Sequence, residues 1–128
     1  MFKFSDKSEQ MLNTVQKELN ILAHEVIKIS PIHFQITEGF RDRMRQKELY
    51  NDGKSRTLNS KHCECKAIDI VCCKEGYTEP LRDIYIVVGL FIAVAKQLNI
   101  KIRVGALWDK TSTKDNNFID AFHIEVED

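Results

Sequence analysis

The sequence predicts an α+β fold: one small domain, 1–128, in which a short, antiparallel sheet is flanked by helices. Three observations predict it. Apolar residues recur at helical spacing near the start, then alternate at strand spacing, and the chain keeps switching between the two periods to its end. A chain of 128 residues has room for one substantial core. The longest apolar run, 84–95, is too short to span a membrane and fits a helix packed against that core.

The elements follow in order. Ser8 is placed to cap a first helix. Leu12, Val15, Leu19, Leu22, Val26 and Ile29 come next in steps of 3, 4, 3, 4 and 3, a single continuous stripe facing a core. Ser30-Pro31 ends it, because proline restricts the residue before it and cannot continue the ladder. Ile32, Phe34 and Ile36 then alternate with His33, Gln35 and Thr37, a half-buried strand with His33 on its polar face. Glu38-Gly39 turns the chain into a polar helix over 42–50, which Asn51-Asp52-Gly53 stops. Residues 54–66 read as a long polar loop, 67–73 as a strand and 74–77 as a turn. Thr78 and Pro80 open a helix that reaches 98. It is apolar on most sides, so it is expected to be the central buried helix, with Gly89 permitting close packing. Ile100, Ile102 and Val104 alternate with Lys101 and Arg103 in another strand. A loop over 105–117 carries the only tryptophan, Trp108. In the last strand, 121–126, Phe122, Ile124 and Val126 share one face, and Ala121, His123 and Glu125 the other, away from the core.

Charge and cysteine content narrow the function. Lys+Arg and Asp+Glu are both 19, a neutral balance that argues against a general nucleic-acid binder. Between Arg41 and Lys66, however, eight basic residues stand against four acidic ones, a local bias suited to an anionic substrate. The start, Met1-Phe2-Lys3-Phe4-Ser5-Asp6, lacks the apolar region of a secretion signal, so synthesis in a cytoplasm is expected. Reduced thiols are then the default for Cys63, Cys65, Cys72 and Cys73. Their C-x-C and C-C spacings do not match the paired C-x-x-C hooks of common zinc modules, although a structural thiolate site near His62 is the rival reading.

The chemistry centres on Ser60-Lys61-His62-Cys63-Glu64-Cys65-Lys66-Ala67-Ile68-Asp69. Asp69 lies inside an apolar run, and a buried carboxylate needs a cation or several donors. The bland alternative is a carboxylate at a solvent-facing strand edge and a loop histidine. His62 and Asp69 are both good ligands for a divalent transition metal, zinc above all. If the last strand neighbours the Asp69 strand, His123 joins them. Two histidines and one carboxylate with an open fourth position form a catalytic arrangement. Such a site also needs a base, and Asp120 is the candidate if it sits in a bend before the strand. Glu125 is the second choice, and a turn or capping role is the alternative for Asp120. Arg41 is best placed to stabilise an oxyanion, with Arg43 and Arg45 as alternatives; in a helix Arg41 and Arg45 would share a face.

Ser60-x-His62, Ala67-x-Asp69 and Asp120-x-x-His123 together resemble the S-x-H…A-x-D…[DE]-x-x-H signature of the zinc D,D-peptidase family. That family includes the vancomycin-resistance carboxypeptidases and dipeptidases and the L-alanyl-D-glutamate peptidases. Ile36-Thr37-Glu38-Gly39-Phe40-Arg41, with Arg45-Gln46, Leu49-Tyr50 and Gly53, is similar to a stretch of the endolysin-type L-alanyl-D-glutamate peptidases. Val104-Gly105-Ala106-Leu107-Trp108-Asp109 resembles their "WGGDW" segment. The resemblance implies a hedgehog/D,D-peptidase-like fold, a zinc ion on His62, Asp69 and His123, Asp120 as base and proton donor, and Arg41 on the scissile carbonyl or a substrate carboxylate. Ser60, Gln46 and Trp108 would support the site. The implied substrate is the peptide stem of bacterial peptidoglycan, cut at the L-alanyl-D-glutamate bond by a monomeric phage endolysin. Such an enzyme is made in the host cytoplasm and reaches the wall after release. A D-Ala-D-Ala carboxypeptidase or dipeptidase and an inactive zinc-binding module are the alternatives. Two departures stand out: Cys65 replaces a usual glycine, which predicts a differently shaped loop there, and Ala106-Leu107 replaces Gly-Asp.

Overall fold

The computed structural model describes residues 1–55, 57–73, 80–105 and 123–127. The order is α1 (Asp6–Leu12), α2 (Lys17–Ile29), β1 (Phe34–Glu38), α3 (Arg43–Asn51), a short 3-10 turn (Lys61–Glu64), β2 (Ala67–Cys72), α4 (Pro80–Leu98), β3 (Ile102–Val104) and β4 (His123–Val126). The four strands form one sheet in the order β1-β2-β4-β3, and every neighbouring pair is antiparallel. Phe34, Ile36, Ile68, Ile70, Ile124 and Val126 turn one face of it toward a core that α1, α2 and α4 cover. Phe34 anchors this layer, with its ring edge-on to Phe91 of α4 at 5.7 Å and to Phe4 at 5.5 Å.

Several expectations change. The apolar stripe of the N-terminal region is split into two helices. Ser5, not Ser8, caps α1, its Oγ accepting from the Ser8 backbone N–H at 3.1 Å. Ser8 is instead buried, and its Oγ accepts from the Ile36 N–H at 3.0 Å, tying α1 to β1. The break at 13–16 has no proline or glycine to announce it. Local side-chain bonds replace the helix ladder there: Thr14 Oγ1 donates to the Met11 carbonyl at 2.6 Å, and Asn20 Nδ2 to the Leu12 carbonyl at 2.9 Å. The chain resumes its helix with Leu19, Leu22 and Val26 still facing inward, whereas Ile29, the last residue of the predicted stripe, is exposed.

Helix α4 is not the buried centre. One face, with Ile84, Val87, Phe91 and Val94, is in the core, while Tyr85, Ile86 and Ile92 stay exposed. Gly89 admits no close neighbour: a Cβ there would meet nothing within 4 Å. Finally, the core-distal face of β4 is closed, with His123 and Glu125 both buried.

Candidate metal centre

Pairing of β2 with β4 sets Asp69 directly opposite His123 and Ala67 opposite Glu125. On β2 the side chains alternate, Ile68, Ile70 and Cys72 toward the core and Asp69 away from it. Asp69 and His123 therefore share the core-distal face. His62 arrives from the 3-10 turn. Ser60 caps that turn, its Oγ accepting from the His62 backbone N–H at 3.1 Å. Cys65 ends it at φ 62°, a left-handed conformation that costs a non-glycine residue about 1–2 kcal/mol. A cysteine thus holds here a conformation that glycine takes without strain.

His62 Nε2 lies 3.1 Å and His123 Nδ1 3.2 Å from the same Asp69 oxygen, Oδ1. The two rings are edge-on with centroids 5.0 Å apart. The outer nitrogens are committed elsewhere. His62 Nδ1 is 2.8 Å from the Gly39 carbonyl, which can only accept, so this nitrogen carries the proton. His123 Nε2 is 2.8 Å from Glu125 Oε1, and the same reasoning gives it the proton. In neutral rings, the inner nitrogens then point lone pairs at a carboxylate oxygen. Something positive has to lie between them, either a further proton or a metal ion. The three ligand atoms lie within 4.8 Å of one another, and among the described residues this group can hold a metal. No cysteine belongs to it. Burial alone would raise the Asp69 carboxyl, but hydrogen bonds with His123 and His62 and their charge outweigh it and hold the group well below the usual carboxylate range.

Arg41 completes the described site. It precedes α3 rather than sharing a helix face with Arg45, which is exposed and pairs with Glu48 at 3.5 Å. The Arg41 N–H donates to the His62 carbonyl at 3.1 Å, so the two loops are bonded through their backbones. Its guanidinium donates from Nε to Glu38 Oε1 at 2.9 Å and from Nη1 to Gln46 Oε1 at 2.8 Å. Nη2 stands 3.7 Å from Asp69 Oδ2. Gln46 is fully buried, and its Nε2 donates to Ser55 Oγ and the Thr57 carbonyl. Gln46 therefore fixes the guanidinium and also fastens the loop after α3. A bulge in β1 between Ile36 and Glu38 brings Glu38 opposite Asp69, which is how its carboxylate reaches Arg41.

Of the residues that sequence reasoning brought together, the structure converges His62, Asp69 and His123 on one point, sets Arg41 beside Asp69, Gln46 behind Arg41, and Ser60 at the cap of the His62 turn. Asp120 and Trp108 lie outside the described residues. Glu125, the second choice as base, is bonded to His123 and serves to hold that ring. Glu38 was passed over as a turn residue. The signal that could have found it was its spacing of three residues from Arg41, opposite charges at a loop entry.

The comparisons with known proteins agree with this geometry. Residues 1–127 match the family model described as phage L-alanyl-D-glutamate peptidase. The chain is 30% identical over 134 residues to the L-alanyl-D-glutamate peptidase of Escherichia phage T5, covering 98% of each. Its fold is that of the L-Ala D-Glu endopeptidase ChiX of Serratia marcescens, with a TM-score of 0.84, 23% identity, and 99% of this chain and 90% of that one covered. A more distant likeness, TM-score 0.53 at 11% identity over 88% of this chain and 50% of the other, is to the vancomycin-resistance D,D-dipeptidase VanXYg, solved with a D-Ala-D-Ala phosphinate analogue. With a sheet that pairs Asp69 to His123 and a family model matched from end to end, the chain belongs to the phage L-alanyl-D-glutamate peptidase family.

Proposed function

We propose that this chain is a zinc-dependent peptidase that hydrolyses the L-alanyl-D-glutamate bond in the stem peptide of bacterial peptidoglycan, as a phage endolysin. Residues 1–128 act as one catalytic domain. The observation that carries the reading is the convergence of His62 Nε2, His123 Nδ1 and Asp69 Oδ1, with both outer imidazole nitrogens already satisfied. The donor set, two imidazoles and a carboxylate, is that of a catalytic zinc site. Zinc held there supplies Lewis acidity and makes water a competent nucleophile near neutral pH.

The chain's own residues do the rest. Gly39 and Glu125 hold the two rings so that their lone pairs face inward. Arg41, clamped by Glu38 and Gln46, presents Nη2 beside Asp69, where it donates to the carbonyl oxygen of the scissile amide or to a carboxylate of the stem. Asp120, in the role the family signature implies, accepts a proton as water adds to the carbonyl carbon. It returns that proton to the departing nitrogen when the C–N bond breaks. The products are an L-alanine carboxylate and a D-glutamate amine.

The test is hydrolysis of purified peptidoglycan by chelator-stripped protein before and after zinc is restored, with products read by mass. The expected result is zinc-restored release of fragments ending in L-alanine and beginning with D-glutamate. Loss of terminal D-alanine would move the chain to the D,D-peptidase branch. Stoichiometric zinc binding without any cleavage would leave a binding module.

A further inference from the structure

Helix α4 carries more apolar surface than the core takes up. On the side opposite its buried face, Tyr85, Ile86 and Ile92 are 44%, 39% and 37% exposed. Gly89 and Ala93 lie among them, also exposed. Positions 85, 86, 89, 92, 93 and 96 recur at the spacing of one helical face. The only acid of α4, Asp83, is buried on the other side, so this outer face has no carboxylate of its own helix. Lys96 bounds it at one end, exposed; at the other stands Arg82, exposed but paired with Asp83 at 2.9 Å.

At the Lys96 end the face runs into a groove between α4 and the edge strand β3, with a volume of about 420 Å³. Ile92, Ile100 and Ile102 give it an apolar floor. Lys96, Lys101 and Arg103 line it, with Glu127 the one acid among the described lining residues. Ile92 and Lys96 belong to both surfaces, which makes strip and groove continuous.

We propose that the outer face of α4 and the groove beside it form a docking surface for an anionic lipid bilayer, lying in the headgroup region rather than crossing it. Single exposed apolar side chains are ordinary, but a continuous strip rimmed by cations marks an interaction site. Tyr85 offers an apolar ring with a polar tip, the form that suits a membrane interface. Lys96 and Lys101 can lay their stems on apolar surface and keep their ammonium groups among lipid phosphates. The described helices include none long and apolar enough to cross a membrane, so α4 lies flat. The chain has no net charge, and attraction to anionic lipid therefore has to come from this local cluster. Charge also selects against a second copy as the occupant. Two-fold pairing with the helices parallel sets Lys96 against Lys96, and antiparallel pairing sets Lys96 against Arg82, already paired with Asp83, so neither arrangement offers Lys96 a free opposite charge.

Flotation of the full chain with vesicles tests this. Phosphatidylcholine vesicles with and without phosphatidylglycerol are compared at low and high salt. The expected result is binding at least about tenfold stronger to the anionic vesicles, weakening as salt screens the cations. The double variant Lys96→Glu, Lys101→Glu lowers that binding about tenfold or more. Ile86→Ser with Ile92→Ser does likewise without removing salt dependence. Both keep their thermal midpoint and their hydrolysis of a soluble muropeptide, since neither touches the metal centre. No flotation with anionic vesicles, or equal flotation with neutral ones, overturns the proposal. So does a concentration-dependent dimer in sedimentation velocity that the isoleucine variant dissolves while flotation is unchanged. The vesicle measurement needs no catalysis, so it stands or falls apart from the peptidase reading.

Discussion

Glu125 shows how a single side chain sets the chemistry of its neighbour. Its carboxylate keeps the His123 proton on Nε2 and so leaves Nδ1 to face Asp69 and His62. Glu125→Ala is expected to weaken zinc affinity about 10–100-fold, the usual scale for losing a ligand's hydrogen-bond partner. Glu125→Gln, whose amide oxygen still accepts, is expected to lose much less, with competition against a chromophoric chelator as the readout. The sequence placed Glu125 on the His123 face through the two-residue period of a strand. It did not say whether the carboxylate would reach the ring or the water, because that depends on burial from the far side. Cys72 gives a second prediction at this scale. Burial, then the charge of Asp83 and of Cys73, pushes its thiol up to about 11. An acid raised in the folded state binds its proton more tightly there, so folding loses stability as pH climbs from the ordinary thiol value toward that one. Below that window the thiol stays protonated, and iodoacetamide at pH 8 should modify Cys72 on the order of a hundredfold more slowly in the native chain than in urea. Equal rates in the two states would refute it.

At the scale of elements, the break between α1 and α2 is what steadies the site. Thr14 Oγ1, which donates to Met11, also accepts from the Phe40 N–H at 2.9 Å. The Gln16 N–H donates to the Cys65 carbonyl at 2.9 Å. One short irregular segment thus holds both the loop that carries Arg41 and the turn that carries His62. Gly39 sits against it, and a Cβ there would lie 2.5 Å from the Met11 carbonyl oxygen and 2.6 Å from Thr14 Oγ1. Backbone cannot yield cheaply, so Gly39→Ala is expected to cost about 1–3 kcal/mol in urea unfolding. It should also weaken zinc binding, because the displaced carbonyl is the one that orients His62. A variant that unfolds at the wild-type midpoint would show that the contact is soft. The strands, α3, and the stop near Asn51-Asp52-Gly53 were legible in pattern and turn chemistry, while Asp42, read as the first helical residue, proves to be the cap. The break was not, since the apolar steps run through it undisturbed and only tertiary partners for Thr14 and Gln16 favour it. The same blindness placed α4 at the centre: apolar residues all round a helix do not say which of them the sheet will cover.

Taken as a whole, the molecule brings its metal-binding atoms from a turn and from two strands of one sheet, so binding reports on the entire fold. Zinc at about a hundred times its dissociation constant is expected to add about 2.7 kcal/mol to stability. For a chain of this size that raises the thermal midpoint by roughly 10 °C, a shift that calorimetry should see and that His123→Ala should abolish. The α+β class and the antiparallel sheet could be read from alternating periods alone, but the strand order could not. Sequential strands usually pair, yet β4 inserts between β2 and β3, and that choice is what unites Asp69 with His123. Those two residues are 54 positions apart along the chain. Closing so distant a contact is slow, so the site is expected to form late in folding. Zinc should therefore leave the refolding rate nearly unchanged and instead slow unfolding, acting as a latch on a finished structure. An enzyme built this way is expected to hold an ion on His62, Asp69 and His123 only while its sheet stays closed, so that its working lifetime follows the rate at which β4 leaves its place.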